Sequence, residues 1–161
     1  MRFEIMTLFP ELVDYVLSVS IIGRARASGA ISVTTHNIRD YSEDKHRRVD
    51  DTPYGGGMGM LMAAPPIAAC HDAIMDRLPK DASVRTIYMS PQGSLLNQKT
   101  ARRLAKYDAL IILCGHYEGI DERVIEEFVD EEISIGDYVV TGGELPACIL
   151  VDAVARNVPG V

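Results

Sequence analysis

The chain has 161 residues, of which 47% are hydrophobic and 24% are charged, and its formal net charge is −7 at pH 7. This composition indicates one globular domain and excludes a disordered or fibrous chain. The longest apolar runs are too short to span a bilayer, and the acidic residue at position 4 excludes a secretory signal peptide. Three widely spaced cysteines without a C-x-x-C pair predict reduced thiols in a cytoplasmic protein, with neither a disulfide framework nor a zinc site.

The pattern of apolar residues predicts helices and strands along the whole chain. In chain order, we predict a strand at Met1–Thr7, helices at Pro10–Leu17 and Ile21–Ala27, a strand at Ile31–Ile38, a long loop at Arg39–Gly59, and a helix from Pro65 or Pro66 to about Leu78. The second half then alternates between strands at Val84–Ser90, Ala109–Cys114 and Ile133–Ile135 and helices at Gln98–Lys106, Asp121–Val129 and Glu144–Asn157. Strands that alternate with helices indicate an α/β fold, with a mostly parallel sheet flanked by helices on both faces.

Charge is distributed unevenly along the chain. Residues 101–161 hold twelve acidic and five basic residues, which accounts for the whole acidic excess. We interpret the ten acids within residues 118–144 as a solvated helix face. The overall acidity argues against non-specific nucleic-acid binding, but two basic clusters, Lys45–Arg48 and Lys99–Lys106, leave a specific RNA partner open.

Three glycine-containing segments follow consecutive strands of the alternating half. They are Ser90–Gly93, Gly115–Gly119 and Gly136–Gly143. Ligands of α/β sheets bind where loops leave the carboxyl ends of strands, and glycine lets the backbone approach a ligand closely. Each segment alone is compatible with a tight turn, but together they predict a binding site for a flat heteroaromatic ring such as adenine.

A fourth segment, Asp50–Met60, holds four glycines within five positions. We interpret it either as a floppy surface loop or as a mobile lid or substrate cradle. Dinucleotide-fingerprint, phosphate-loop and zinc-protease motifs are absent from the sequence. Glu118 stands out because it lies inside a glycine segment, although a solvated acid is the alternative. Arg156 falls near the end of the last helix, where a purely structural role is also open, and His116 is a weaker candidate.

Several motifs occur in a fixed order along the whole chain. They are Asp50–Met60, Ser90–Gly93, Cys114–Arg123, Ile133–Tyr138, Gly142–Pro146, Asp152–Arg156 and Pro159–Val161. Together they resemble the bacterial tRNA (guanine-N1) methyltransferases, members of the knotted SPOUT superfamily. The sequence departs from the family pattern at His116, where many relatives carry arginine, and we expect little functional consequence.

The resemblance implies a C-terminal deep trefoil knot, an obligate homodimer with each active site built across the interface, and S-adenosylmethionine as the methyl donor. The positions implied for the donor are Tyr88, Ser90, Pro91, Gly93, Gly115, Ile135, Gly136, Asp137, Tyr138, Val139, Val140, Gly142, Gly143 and Pro146. The positions implied for the substrate are Tyr54, Gly57, Gly59 and Tyr117. That substrate is guanine 37 of a tRNA.

The resemblance also implies the chemistry. N1 of guanine carries a proton and is a poor nucleophile, so a general base must remove that proton during methyl transfer. Arg156 matches a cation that stabilises charge on O6, and Glu118 matches a contact to the guanine edge or to the reacting end of the donor. In the family, the general base and a C-terminal tRNA-binding domain follow the knotted domain. We therefore expect residues 1–161 to bind the donor and to methylate tRNA poorly or not at all.

Two other functions stay open at this point. One is a donor-binding dimerisation module without catalysis of its own. The other is an α/β enzyme that acts on a small molecule unrelated to RNA. No ligand cluster in the sequence specifies a metal, so a magnesium requirement is also open, and no membrane association is expected.

Overall fold

The computed structural model describes residues 1–52 and 59–161 of the chain. The strands of its main sheet are β1 Arg2–Thr7, β2 Ser32–Asn37, β5 Val84–Leu95, β6 Ala109–Cys114 and β7 Glu131–Ser134. These strands are all parallel and lie in the spatial order β2-β1-β6-β5-β7. The strands β3 Asp50–Asp51 and β4 Leu61–Met62 form a separate antiparallel pair. The predicted α/β fold with a mostly parallel sheet is therefore confirmed.

Helices cover both faces of the main sheet. They are α1 Pro10–Val16, α2 Ser20–Ser28, α3 Ala64–Arg77, α4 Gln98–Leu104, α5 Glu122–Phe128 and α6 Glu144–Ala155. Helices α1, α2, α4 and α6 pack on one face, and α3 and α5 pack on the other. Each helix lies within a few residues of its predicted position. In the described part of the chain, no helix is long and apolar enough to cross a membrane.

The central strand β6 shows how the core is built on both faces of the sheet. All of its residues are buried, and successive side chains of a strand point to opposite faces. Ile112 packs on the side of α6, whereas Ile111 and Leu113 pack on the side of α3. A strand in the middle of a sheet that is covered on both faces requires apolar residues at every position, and the sequence of β6 meets this requirement.

Strand β5 is longer than predicted. The sequence predicted a strand that ends at Ser90, but β5 continues to Leu95. Met89 and Ser94 both pair with Ile133 of β7, so the residues between them bulge out of the sheet. A bulge lets the chain leave a strand and rejoin it. Here it projects the first of the predicted glycine-containing loops from the carboxyl edge of the sheet.

The predicted long loop at residues 39–59 contains more regular structure than expected. A 3-10 turn covers Ile38–Tyr41, and the Asn37 side chain accepts a 3.0 Å hydrogen bond from the Arg39 amide at its start. Further along, β3 pairs with β4, with Asp50 opposite Met62. This pairing joins segments on either side of the glycine-rich stretch, which periodicity along the chain does not reveal.

The three cysteines are free and buried. Burial raises the pKa of Cys70 to about 12 and that of Cys148 to about 11. The pKa of Cys114 is raised for the same reason. These thiols therefore stay protonated at neutral pH and act as small apolar side chains of the core.

Candidate ligand-binding cleft

A cleft of about 640 Å³ opens at the carboxyl ends of β5, β6 and β7. Its walls come from the bulge of β5, the loop after β6 and the loop between β7 and α6. Parallel strands end at the same edge of a sheet, so three loops that are far apart in sequence meet there. The volume lies in the range of small-molecule sites, about 300–1,000 Å³. The sequence predicted a site from these same three loops.

Most of the positions predicted for the donor line this cleft. Eleven of the fourteen do so, namely Tyr88, Ser90, Pro91, Gly115, Ile135, Tyr138, Val139, Val140, Gly142, Gly143 and Pro146. The other three, Gly93, Gly136 and Asp137, lie in the same loops but outside the lining. Gly93 packs on the backbone of β7, where a Cβ would lie 2.5 Å from the Ile133 nitrogen. Gly93 therefore lies behind the wall of the cleft, not in its lining.

The inner wall of the cleft is closely packed around Tyr88. This side chain is 8% exposed, and a Cβ added at Gly115 would lie 2.9 Å from its hydroxyl oxygen. Burial, followed by the nearby charges of Glu132 and Glu122, raises the pKa of Tyr88 to about 12. The phenol therefore stays neutral at physiological pH and keeps a hydrogen-bonding hydroxyl against the cleft.

The loop after β6 carries the predicted residues Tyr117 and Glu118 into the cleft lining. Tyr117 has φ +60°, a left-handed conformation that is uncommon for a residue other than glycine. The Glu118 amide donates a 3.0 Å hydrogen bond to the Met60 carbonyl oxygen, and a Cβ at Gly59 would lie 2.5 Å from the Glu118 side chain. Gly59 thus lies directly behind Glu118. The predicted residues Tyr54 and Gly57 lie outside the described residues.

Arg156 does not line this cleft. It is exposed and follows the last residue of α6, whereas Pro146, near the start of that helix, is part of the cleft wall. The helical rise puts about 15 Å between these two residues. Its predicted role in catalysis stays a prediction.

The interpretation of the acids at residues 118–144 as a solvated face is wrong for two of them. Glu144 is 2% exposed. Glu131 begins β7, two residues before its predicted start, and pairs with Arg103 at 2.7 Å and Arg85 at 2.6 Å. Hydrogen bonds from Arg103 and then Arg85 lower the pKa of Glu131, although desolvation opposes them. These pairings join distant segments, so the local run of acids gave no sign of them.

His116 and Glu144 form a pair at the cleft that sequence reasoning missed. The two Glu144 carboxylate oxygens lie 2.8 and 2.6 Å from Nε2 of His116, and His116 lines the cleft. The His116 ring also packs against Phe9 in a tilted arrangement, with centroids 5.0 Å apart. The only sign in the sequence was an acid in the first turn of a helix directly after two glycines.

The charged residues that line the cleft are acidic. They are Glu118, Glu122 and Glu132, and no lysine or arginine is among the described lining residues. Such a lining attracts a cationic ligand and repels phosphates. Within residues 1–52 and 59–161, no group of three or more His, Cys, Asp or Glu side chains is arranged to hold a metal ion. Fold and cleft together define an α/β protein with an acidic cleft of small-molecule size at the carboxyl edge of a parallel sheet.

Comparison with known proteins gives the family. The family model described as tRNA (Guanine-1)-methyltransferase TrmD matches residues 1–161. The chain therefore belongs to the tRNA (guanine-1)-methyltransferase family, and the predicted enzyme class, a methyltransferase that uses S-adenosylmethionine, is confirmed at that level.

Individual relatives agree with this assignment. The tRNA (guanine-N(1)-)-methyltransferase of Ruminiclostridium cellulolyticum is 56% identical over 161 residues, which are all of this chain and 68% of the relative. The enzyme of the same name from Geobacter sulfurreducens is 53% identical over 161 residues, or 64% of its length. The crystal structure of tRNA (m1G37) methyltransferase from Aquifex aeolicus superposes with a TM-score of 0.89 at 37% identity, covering all of this chain and 71% of that one. The chain thus spans about two thirds of the curated relatives it matches.

Proposed function

We propose that this chain binds S-adenosylmethionine in the cleft and supplies the donor-binding half of an active site that methylates N1 of guanine 37 in tRNA. The observation that carries the proposal is the lining, which combines three glycine-containing loops with three carboxylates and holds no lysine or arginine among its described residues. Backbone groups of the loops suit the edge of an adenine ring, and the carboxylates suit a cation. A nucleotide bearing phosphates fits this lining poorly.

The residues present fit this donor. When bound, S-adenosylmethionine supplies an electrophilic methyl group on a positively charged sulfur. The bulge of β5 and the loop between β7 and α6 would hold the adenine end, since Ser90, Ile135 and Tyr138 line that part of the cleft. The acidic residues of the lining would stabilise the charged end.

The residues of the chain also have roles toward the guanine. Glu118 lies in the cleft lining beside Gly59, where it would contact the guanine edge or the reacting end of the donor. Arg156 would stabilise the negative charge that grows on O6 as N1 loses its proton. We infer that the general base and a tRNA-binding domain lie outside residues 1–161. We also propose that such an enzyme acts in the cytoplasm.

A homodimer accounts for the position of Arg156. The adjacent helices α1 and α6 leave large apolar side chains exposed, among them Tyr15 at 75%, Leu145 at 50% and Ile149 at 45%. A second copy that covers this face would bury them and would bring its own Arg156 toward the cleft. In this arrangement Arg156 of one copy would act in the cleft of the other copy, so it would not need to span the distance of about 15 Å to Pro146 of its own chain.

We place a trefoil knot at the same loops. The chain returns from β7 to α6 through Gly143, where a Cβ would lie 2.8 Å from the Cys114 Cα and from the Gly115 nitrogen. A backbone passage this close to the end of β6 supports a chain threaded between the loops, against the usual rule that chains are unknotted.

A second candidate function is a donor-binding dimerisation module without catalysis. The general base that the proposal assigns to sequence outside residues 1–161 favours it for these residues alone. One experiment separates the two functions. Residues 1–161 replace the matching part of the Ruminiclostridium cellulolyticum enzyme, and transfer of labelled methyl is measured on tRNA transcripts with guanine or adenine at position 37.

The proposal expects the chimera to methylate only the guanine transcript. It also expects E118Q and R156A in the chimera to lose turnover while the donor still binds. Full turnover in both variants would remove the roles proposed for these residues. A chimera that binds the donor but methylates neither transcript would favour the binding module.

A further inference from the structure

Among the described residues, Glu144 is the most deeply buried acid, at 2% exposure. It occupies the first turn of α6, where the helix dipole stabilises a negative charge. Burying a carboxylate is costly unless hydrogen bonds replace its water. The side chain therefore needs partners, and the structure supplies them from two distant segments.

Both partners donate to the carboxylate. The hydroxyl of Thr7, at the end of β1, donates a 2.8 Å hydrogen bond to Oε1 of Glu144. Nε2 of His116, in the loop after β6, lies 2.8 Å from Oε1 and 2.6 Å from Oε2. Since a carboxylate only accepts hydrogen bonds, Nε2 carries the hydrogen. One side chain thus joins the end of β1, the loop after β6 and the start of α6.

Glu144 reaches the cleft only through its neighbours. It does not line the cleft, whereas His116, Gly142 and Gly143 do. A Cβ at Gly142 would collide with the His116 ring and would lie 2.9 Å from Oε2 of Glu144. The carboxylate therefore fixes the ring, and the ring and the carboxylate together support the backbone corner at Gly142.

Stability alone is a poor reason for this arrangement. A buried polar group and its hydrogen-bond partners commonly contribute no more to stability than apolar side chains of the same shape. Its advantage is a defined geometry, because each hydrogen bond holds one segment in one position. Two of the three segments held here, the loop after β6 and the start of α6, contribute residues to the cleft lining.

We propose that Glu144 is a positioning residue of the donor cleft. It fixes His116 and the Gly142–Gly143 corner before the donor binds. This inference rests on the proposed function, since it assumes that S-adenosylmethionine occupies the cleft. It also assigns His116 a role at the site.

The test is calorimetric titration of the 161-residue chain with S-adenosylmethionine. The variants are E144Q, H116L, the double variant and H116R, and leucine at position 116 leaves no hydrogen-bond donor for the carboxylate. Glutamine at position 144 keeps the size of the side chain. Its NH2 group, however, would face either the Thr7 hydroxyl or Nε2 of His116, and both of these donate hydrogen bonds to the carboxylate. V151A is the matched control, because Val151 is a fully buried residue of α6 that lies outside the cleft. Thermal melts and circular dichroism report folding for each variant.

The inference expects E144Q and H116L each to lower donor affinity about tenfold, the size of one lost charged hydrogen bond. The double variant binds no more weakly than the weaker single variant, because the two residues act as one unit. H116R keeps a donor against the carboxylate and retains affinity, and V151A melts earlier but binds within about twofold of the wild type.

Wild-type affinity in folded H116L and E144Q would overturn the inference, and so would additive losses in the double variant. If E144Q does not fold, H116L and H116R decide the matter. H116L that binds like the wild type overturns it, and weak binding by H116L together with retained binding by H116R supports it. A folded wild-type chain that binds no donor contradicts the proposed function itself, which separates that failure from a failure of Glu144.

Discussion

The Gly143 amide donates a 2.9 Å hydrogen bond to the Gly115 carbonyl oxygen. This bond joins the loop between β7 and α6 to the loop after β6, and both residues line the cleft. Neither position has room for a side chain, because a Cβ at Gly143 would lie 2.8 Å from the Gly115 nitrogen and one at Gly115 would lie 2.9 Å from the Tyr88 hydroxyl oxygen. The shape of the cleft therefore depends on two glycines in contact.

The first prediction concerns G143A. The added methyl meets backbone atoms that cannot move aside, so we expect a loss of about 1–3 kcal/mol in the free energy of unfolding. We also expect loss of donor binding, because the two loops must separate. Chemical denaturation and calorimetric titration measure the two effects.

G29A is the matched control for G143A. Gly29 has φ +83° and no neighbour within 4 Å of an added Cβ, so the cost is backbone strain of about 1–2 kcal/mol. This residue lies at the end of α2, outside the cleft. G29A is therefore expected to lose stability but keep donor affinity. Equal donor affinity in G143A and wild type would show that the joined loops do not form the site.

The second prediction concerns Glu131, whose pKa is lowered chiefly by the hydrogen bond from Arg103 and also by that from Arg85. A lowered pKa in the folded state stabilises the protein at neutral pH, and this contribution is lost as the pH falls below about 4.5 toward the folded pKa. E131Q is therefore expected to lower the free energy of unfolding by about 1.5–3 kcal/mol at pH 7, the range for hydrogen bonds to a charged group.

Urea denaturation between pH 7 and pH 3 measures this effect. The difference between E131Q and wild type is expected to shrink as the pH falls, whereas E127Q, at an exposed position of α5, is expected to match the wild type throughout. A difference that stays constant with pH would mean that the charge of Glu131 is not the source of its stabilisation.

The third prediction concerns the thiols. Burial raises the pKa of Cys70 to about 12 and that of Cys148 to about 11, and Cys114 is buried as well. All three are expected to resist Ellman's reagent at pH 8 in the folded chain and to react when it is unfolded. Rapid reaction of one thiol in the native protein would show that the core around it opens.

The fourth prediction concerns the apolar face of α1 and α6. I149D introduces a charge among the exposed apolar side chains and is expected to convert a dimer of about twice 17.7 kDa into a folded monomer. Sedimentation velocity measures the mass. M75D is the control, because Met75 is similarly exposed, at 42%, but lies on α3 across the sheet. Dissociation by M75D rather than by I149D would place the interface on the other face.

The sequence predicted the features of this chain that depend on residues close together in the sequence. The apolar strand Ala109–Cys114, the glycine that ends α2 and the three glycine-containing loops were all visible as local patterns. What it missed depends on residues that meet only in the fold. The bond between Thr7 and Glu144 joins positions 137 apart in sequence, and the bulge of β5 exists because Met89 and Ser94 share a partner on β7.

The most direct test of the account is titration of the folded 161-residue chain with S-adenosylmethionine, with ATP as the comparison ligand. We predict saturable binding of one S-adenosylmethionine per chain, abolished in G143A and preserved in G29A, and no binding of ATP because the acidic lining repels its phosphates. A folded chain that binds ATP, or that binds neither ligand, would contradict the assignment of this cleft to the methyl donor.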